Sequence, residues 1–116
     1  MNGSLGEALE ELRRDGYEVL EDLDVGRANV PHCVVGPTGV FAIEPDEDSD
    51  EVFEEAHRME RLLKAAGVPQ HVVPVVATSD SDVPGIVRAC HARLHSETVD
   101  HIRHVLSLYR HDRRSA

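Results

Sequence analysis

The amino-acid sequence predicts one α/β domain, in which a central mixed sheet of four or five strands is flanked by helices. Apolar residues recur at helical spacing near both ends and in the middle of the chain. Between them, residues 30–35 and 39–44 form two runs that are apolar on both faces, as in strands of a covered sheet. A length of 116 residues suits a single hydrophobic core. We therefore expect residues 1–116 to form one domain, with 110–116 as a flexible, charged tail.

The first predicted elements are a helix and a strand. Leu5, Ala8, Leu9 and Leu12 lie at helical spacing, and Gly16 is suited to closing a helix. The sequence thus predicts a helix over residues 5–14 and a first strand over residues 17–22.

A buried antiparallel hairpin is predicted next. Its strands are the two apolar runs, and Gly36-Pro37-Thr38-Gly39 between them has the composition of a tight turn.

Helical and extended patterns alternate in the second half. A second helix carries an apolar stripe and ends at Gly67, and a Val-rich strand over residues 71–78 contains Pro74, which indicates an edge position. A short strand is predicted over residues 86–89, and Ser96 is expected to cap a last helix. The predicted order is α-β-β-β-α-β-β-α.

Composition limits the functions to be considered. Aromatic residues make up only 3% of the chain, so Phe41, Phe53 and Tyr17 are expected to be the large side chains of an otherwise aliphatic core. A net charge of −10 opposes broad affinity for nucleic acids and favours a local contact at most. Cys33 and Cys90 are expected to be free thiols of a cytoplasmic protein, and no apolar run approaches membrane-spanning length.

Glu44 is the first candidate for chemistry, because it ends a strand that is otherwise apolar. A carboxylate there needs a cation, a hydrogen-bond donor or water. The pattern alone leaves three explanations for Glu44: a metal site, a cap on the next helix, or contact with solvent. Neighbouring His32 and Cys33 should point to opposite faces of their strand, which disfavours a thiol–imidazole pair.

The hairpin also carries a resemblance. GPTGVFAIE, preceded by Asn29-x-x-His32, is similar to the core of the nuclease-related domain (NERD), a branch of the restriction-endonuclease-like PD-(D/E)xK superfamily. Weaker similarity extends over residues 5–106 and includes Gly6-Glu7. The resemblance implies a restriction-endonuclease-like core and a Mg²⁺- or Mn²⁺-dependent nuclease site that uses an Asp, a Glu and a Lys.

This chain departs from the family at the catalytic positions. Pro31 stands where the resemblance places the Asp, and Asp46 stands where it places the Lys, whereas Glu44, His32 and Glu7 match. Proline offers no ligand, and an aspartate repels a phosphodiester. The resemblance therefore implies a degenerate active site, with Glu44, Glu7 and His32 as its remnants and no cofactor expected.

Three functions follow as hypotheses. The first is a non-catalytic nuclease-fold module that binds a protein partner or forms a homodimer. The second is a metal-dependent DNA nuclease with a rearranged site at Glu7, Glu44 and Asp46, in which Lys64 replaces the missing lysine. The third is a small acidic regulatory or interaction protein.

Overall fold

The computed structural model describes residues 5–25, 28–45, 49–78, 81–90 and 93–110. Its elements, in chain order, are α1 Leu5–Arg14, β1 Glu18–Val25, β2 Ala28–Gly36, β3 Gly39–Pro45, α2 Ser49–Ala65, β4 Val72–Ala77, α3 Val83–Arg88 and α4 Ser96–Ser107. The first helix has the predicted bounds, and the predicted hairpin is formed by β2 and β3.

One mixed sheet organises the fold. Its strand order is β1-β2-β3-β4, with antiparallel pairing from β1 to β3 and parallel pairing of β3 with β4. Because a parallel connection must return the chain to the same end of the sheet, α2 runs back across one face between them. The predicted mixed sheet flanked by helices is confirmed, with four strands, and β4 with Pro74 lies at an edge as predicted.

The sheet separates two hydrophobic clusters. On one face, α2 and α4 cover side chains that include Cys33, Val40 and Ala42. On the other face, α1 and α3 cover side chains that include Phe41 and Ile43. Burial on both sides explains why β2 and β3 read as continuous apolar runs.

The pairing of β1 with β2 is interrupted near Pro31. The register joins Glu21 to His32 and Leu23 to Val30, but Asp22 and Pro31 between them are not paired. Asp22 has a φ of 57°, the left-handed conformation. Because proline has no amide hydrogen to donate, the ladder cannot continue through this position. The alternation of side chains changes phase here, because Leu20 and Leu23 on β1, like Val30 and Cys33 on β2, are three residues apart and lie in the same cluster.

The turn between β2 and β3 connects several parts of the molecule. Thr38 Oγ1 lies 3.0 Å from the Tyr17 hydroxyl and donates a hydrogen bond to the carbonyl oxygen of Val87 at 2.7 Å. The amide of Leu94 donates to the carbonyl oxygen of Pro37 at 2.9 Å. The Gly-Pro-Thr-Gly motif thus joins the start of β1, the end of α3 and the segment before α4.

A helix replaces the short strand that was predicted over residues 86–89. The Asp82 side chain accepts a hydrogen bond from the Gly85 amide at 3.1 Å, and Pro84 occupies the first turn of α3. A side-chain acceptor before the first turn and a proline within it both favour a helix start. Arg88 then fixes α3 to α1 through Asp15 and Glu11.

Two further predictions are wrong. Phe53 is 62% exposed on α2 and is not part of the core. Ser96 is the first residue of α4, and the cap position is held by His95, which makes no side-chain capping bond.

The last described residue lies at the start of the predicted tail. The backbone of Arg110 forms an isolated antiparallel bridge with Leu23. Residues 111–116 lie outside the described part of the chain. Within the described part, every helix is too short or too polar to cross a lipid bilayer.

The two cysteines are expected to differ sharply in reactivity. Cys33 is completely buried, and desolvation raises the pKa of its thiol to about 12, whereas Cys90 is only partly buried. Because the thiolate is the reactive form, a disulfide reagent at pH 8 should modify Cys90 in the folded protein and Cys33 only after unfolding in urea. The matched control is Cys90→Ser, and fast modification of this variant while folded would contradict the burial of Cys33.

Candidate functional site

Glu44 is a buried carboxylate near the end of β3. The residue is 3% exposed, but its oxygens are not among the fully buried polar atoms that lack a hydrogen-bond partner in the described residues. Burying a carboxylate without compensation is costly. Its position therefore calls for a cation, a donor or water, as the sequence suggested.

Glu44 faces the side of the sheet that α2 and α4 cover. Alternation along β3 places it on the same face as Ala42, and its parallel partner Val76 packs against the same cluster. Ile43, in contrast, belongs to the cluster under α1 and α3.

Pro31 lies next to Glu44 across the hairpin. The last pair in the register of β2 and β3 is His32 with Ile43, and one further step along each strand leads to Pro31 and Glu44. Opposed residues of adjacent antiparallel strands are separated by about 5 Å between Cβ atoms. One step beyond the last pair, β2 thus carries Pro31, whose side chain has no ligand atom.

His32 faces the other side of the sheet from Glu44. It is paired with Ile43, so its ring lies on the α1 face, where its Nδ1 is buried at 3.5 Å from Glu21 Oε2. The His32 Nδ1 atom makes no hydrogen bond in the described part of the chain. Cys33 lies on the opposite face, as the alternation of strand side chains predicted.

Glu7 is exposed on α1, a helix whose buried residues Leu9 and Leu12 pack on the face away from Glu44. The three remnants therefore lie on more than one side of the sheet. Asp46 lies outside the described residues.

Lys64 is distant from Glu44 along the fold. It is in the last turn of α2, while Glu44 precedes the first turn of that helix. Fifteen residues of helix correspond to about 22 Å at 1.5 Å per residue. Since α2 runs back along the sheet, Lys64 lies toward the opposite end of β3.

A second buried carboxylate was not identified from the sequence. Glu55 is 3% exposed on α2, at i+3 from buried Val52 and i−4 from buried Met59. Its residue type suggested solvent exposure, but its spacing within the apolar stripe was a signal for burial. Glu44 and Glu55 are the two buried charged residues among those described.

The described residues do not supply the donor set that a divalent cation needs. Mg²⁺ and Mn²⁺ prefer several oxygen ligands around one point. In the described ranges, no group of three or more His, Cys, Asp or Glu side chains is placed to hold a metal ion. Glu44 supplies one carboxylate and Pro31 supplies none, so the family's metal site is not assembled from the residues described.

An open cleft of about 410 Å³ lies elsewhere, between the end of α2 and the start of α4. Its lining residues are Gly67, Val68, Pro69, Glu97, Thr98 and His101. None of them belongs to the hairpin, and the cleft adds nothing to the site at Glu44.

Comparisons with protein-family models, with curated proteins and with solved structures found no match to this chain.

Proposed function

We propose that this chain is a restriction-endonuclease-like module, related to the nuclease-related domain family, that has lost catalysis and serves as a binding or scaffold domain. The observation that carries the proposal is the register of the hairpin, in which Pro31 and Glu44 come one step after the last pair, His32 with Ile43. A metal site of this type needs one carboxylate on each strand. Here one strand keeps its carboxylate and the other carries proline.

The order of elements supports the fold assignment. The first six elements run α-β-β-β-α-β, the order expected from the resemblance, and they enclose a mixed sheet with helices on both faces. The hairpin motif that carries the resemblance forms the two central strands of this sheet. The proposed alignment with the family's two metal-binding positions is supported by the register, which brings Pro31 and Glu44 one step beyond His32 and Ile43.

The loss of catalysis rests on charge and geometry. Lys64, the candidate to replace the family's lysine, lies at the far end of α2 from Glu44. Nuclease chemistry requires positive charge to stabilise the developing charge on a phosphate. A site with one buried carboxylate beside a proline lacks that stabilisation.

The second candidate is a nuclease with a rearranged metal site. It is favoured by the buried Glu44 carboxylate. It is disfavoured by Glu7, because α1 covers the opposite face of the sheet.

Cation binding and DNA cleavage separate these candidates. We expect calorimetric titration with Mn²⁺ or Mg²⁺ to give no saturable heat, and plasmid and oligonucleotide substrates to remain intact in either metal, because Glu44 alone cannot hold the ion. Glu44→Gln serves as the test variant and Glu55→Gln as its matched control, because both remove one buried charge from the same side of the sheet. Cleavage that is lost in Glu44→Gln and retained in Glu55→Gln would overturn the proposal in favour of the rearranged nuclease.

A further inference from the structure

The outer strand β1 has a partly occupied free edge. It pairs with β2 on one side only. Within the described residues, one backbone hydrogen bond reaches it from outside the sheet, from the Asp24 amide to the carbonyl oxygen of Tyr109 at 2.8 Å. The stretch Glu18–Glu21 receives no such bond in the described part of the chain. Alternate backbone groups of that stretch therefore face outward, and no strand of the described residues lies beside them.

The occupied end of the edge demonstrates what kind of partner fits. Arg110, at the end of the described chain, bridges Leu23 in antiparallel orientation. Leu108 and Tyr109 before it form a turn, so a single described residue pairs with the edge here. This end of β1 thus accepts an antiparallel backbone partner.

The free stretch carries acidic side chains on both faces of the sheet. Leu20 belongs to the cluster under α2 and α4, and Val19 packs against the cluster under α1 and α3. Alternation then places Glu18 on the first face and Glu21 on the second, and both residues are exposed. An added strand would meet a carboxylate at each face.

We propose that the edge Glu18–Glu21 docks an extended, arginine-rich segment of a partner protein, which adds antiparallel to β1 as a fifth strand. Backbone hydrogen bonds give the affinity, and cross-strand pairs of arginine with Glu18 and Glu21 select the basic sequence. Pairing of β1 with β1 of a second copy is opposed by the like charges on both strands. The inference rests on the binding role proposed above, but it does not involve Glu44. A peptide that fails to bind would contradict the edge site alone, whereas DNA cleavage would contradict the proposed function.

The test uses a fluorescent peptide that alternates arginine and valine over about six residues, the usual strand length. We expect saturable binding to the full chain that weakens with salt, because the paired charges are exposed. Amide resonances of Glu18–Glu21 should shift and gain protection from exchange. The same peptide with N-methyl groups on its pairing edge keeps the charge but cannot form the ladder, and it should not bind.

Charge-reversal variants test the site. Glu18→Lys with Glu21→Lys should weaken peptide binding by about tenfold, because attraction becomes repulsion at both faces. The matched control reverses Glu51 and Asp100, two exposed acids on α2 and α4, with the same change in net charge. The proposal is overturned if the N-methylated peptide binds equally well, or if the control weakens binding as much as the edge variant. It is also overturned if sedimentation shows a dimer of the chain that the edge variant dissociates.

Discussion

Gly36→Ala is expected to destabilise the protein by about 3 kcal/mol, at the upper end of the cost of overpacking a buried site. A Cβ at Gly36 would lie 2.6 Å from Tyr17 Cε2 and 2.9 Å from its Cγ, well inside contact distance. The ring cannot easily retreat, because Tyr17 is 7% exposed and its hydroxyl lies 3.0 Å from Thr38 Oγ1. Thr38 is held in turn by Val87.

A double-mutant cycle measures this overlap directly. Urea unfolding of Gly36→Ala, Tyr17→Ala and the double variant gives the coupling energy between the two positions. We expect Gly36→Ala to cost little once the ring is absent, since the clash involves the ring alone. An equal cost in both backgrounds would mean that Gly36 is required for its backbone conformation and not for the packing of Tyr17.

The same contact explains part of the resemblance to the nuclease-related domain. A Gly-Pro-x-Gly turn resembles a functional signature in the sequence, yet in this structure its glycine accommodates Tyr17 and its threonine ties the turn to α3. The motif is therefore accounted for by packing and hydrogen bonding. It supports the fold proposal without adding to the evidence for chemistry.

The spacing of apolar residues correctly predicted the helices and strands whose apolar positions are the buried ones. Leu9 and Leu12 define α1 because their side chains pack on the sheet, and the hairpin followed from runs that are buried on both faces. The pattern failed at α3, where Ile86 and Val87 resemble a strand in isolation. The Asp82 cap and Pro84 determine the helix. These two helix-start signals outweigh the preference of the β-branched residues for a strand.

Residue type misled the sequence analysis on α2. An aromatic side chain favours a core position, which Phe53 does not occupy, and a carboxylate favours an exposed position, which Glu55 does not occupy. The helix buries the positions aligned with Val52 and Met59, which includes Glu55 and excludes Phe53. Position on the helix therefore decided which side chains are buried, and residue type did not. The burial of the Glu55 carboxylate costs free energy of folding, which sequence composition does not reveal.

The relative positions of the candidate site residues could be derived only from the register of the sheet. Alternation along one strand separates His32 from Cys33, but only the pairing of His32 with Ile43 places His32 and Glu44 on opposite faces. Likewise, the position of Glu7 depends on which face α1 covers. These relations are long-range, and a single sequence contains no local signal for them.

Restoring the missing carboxylate is expected to create a metal site. Pro31→Asp would place a second carboxylate opposite Glu44, at the step beyond the pair His32 and Ile43. Two adjacent carboxylates repel each other when one is buried, so the metal-free variant should be less stable than wild type. A hard divalent cation relieves this repulsion and gains two oxygen ligands. Mn²⁺ should therefore bind Pro31→Asp with a dissociation constant of about 1 mM or below.

Thermal unfolding with and without Mn²⁺ provides the measurement, because a ligand that binds only the native state raises the midpoint. Pro31→Ala is the matched control: it restores the backbone amide without a carboxylate and should show no response to the metal. Adding Asp46→Lys completes the family pattern and tests whether a positive charge two residues after Glu44 then supports cleavage. If folded Pro31→Asp binds no divalent cation, Pro31 and Glu44 do not occupy the family's metal-binding positions, and the proposed descent from a nuclease loses its main support.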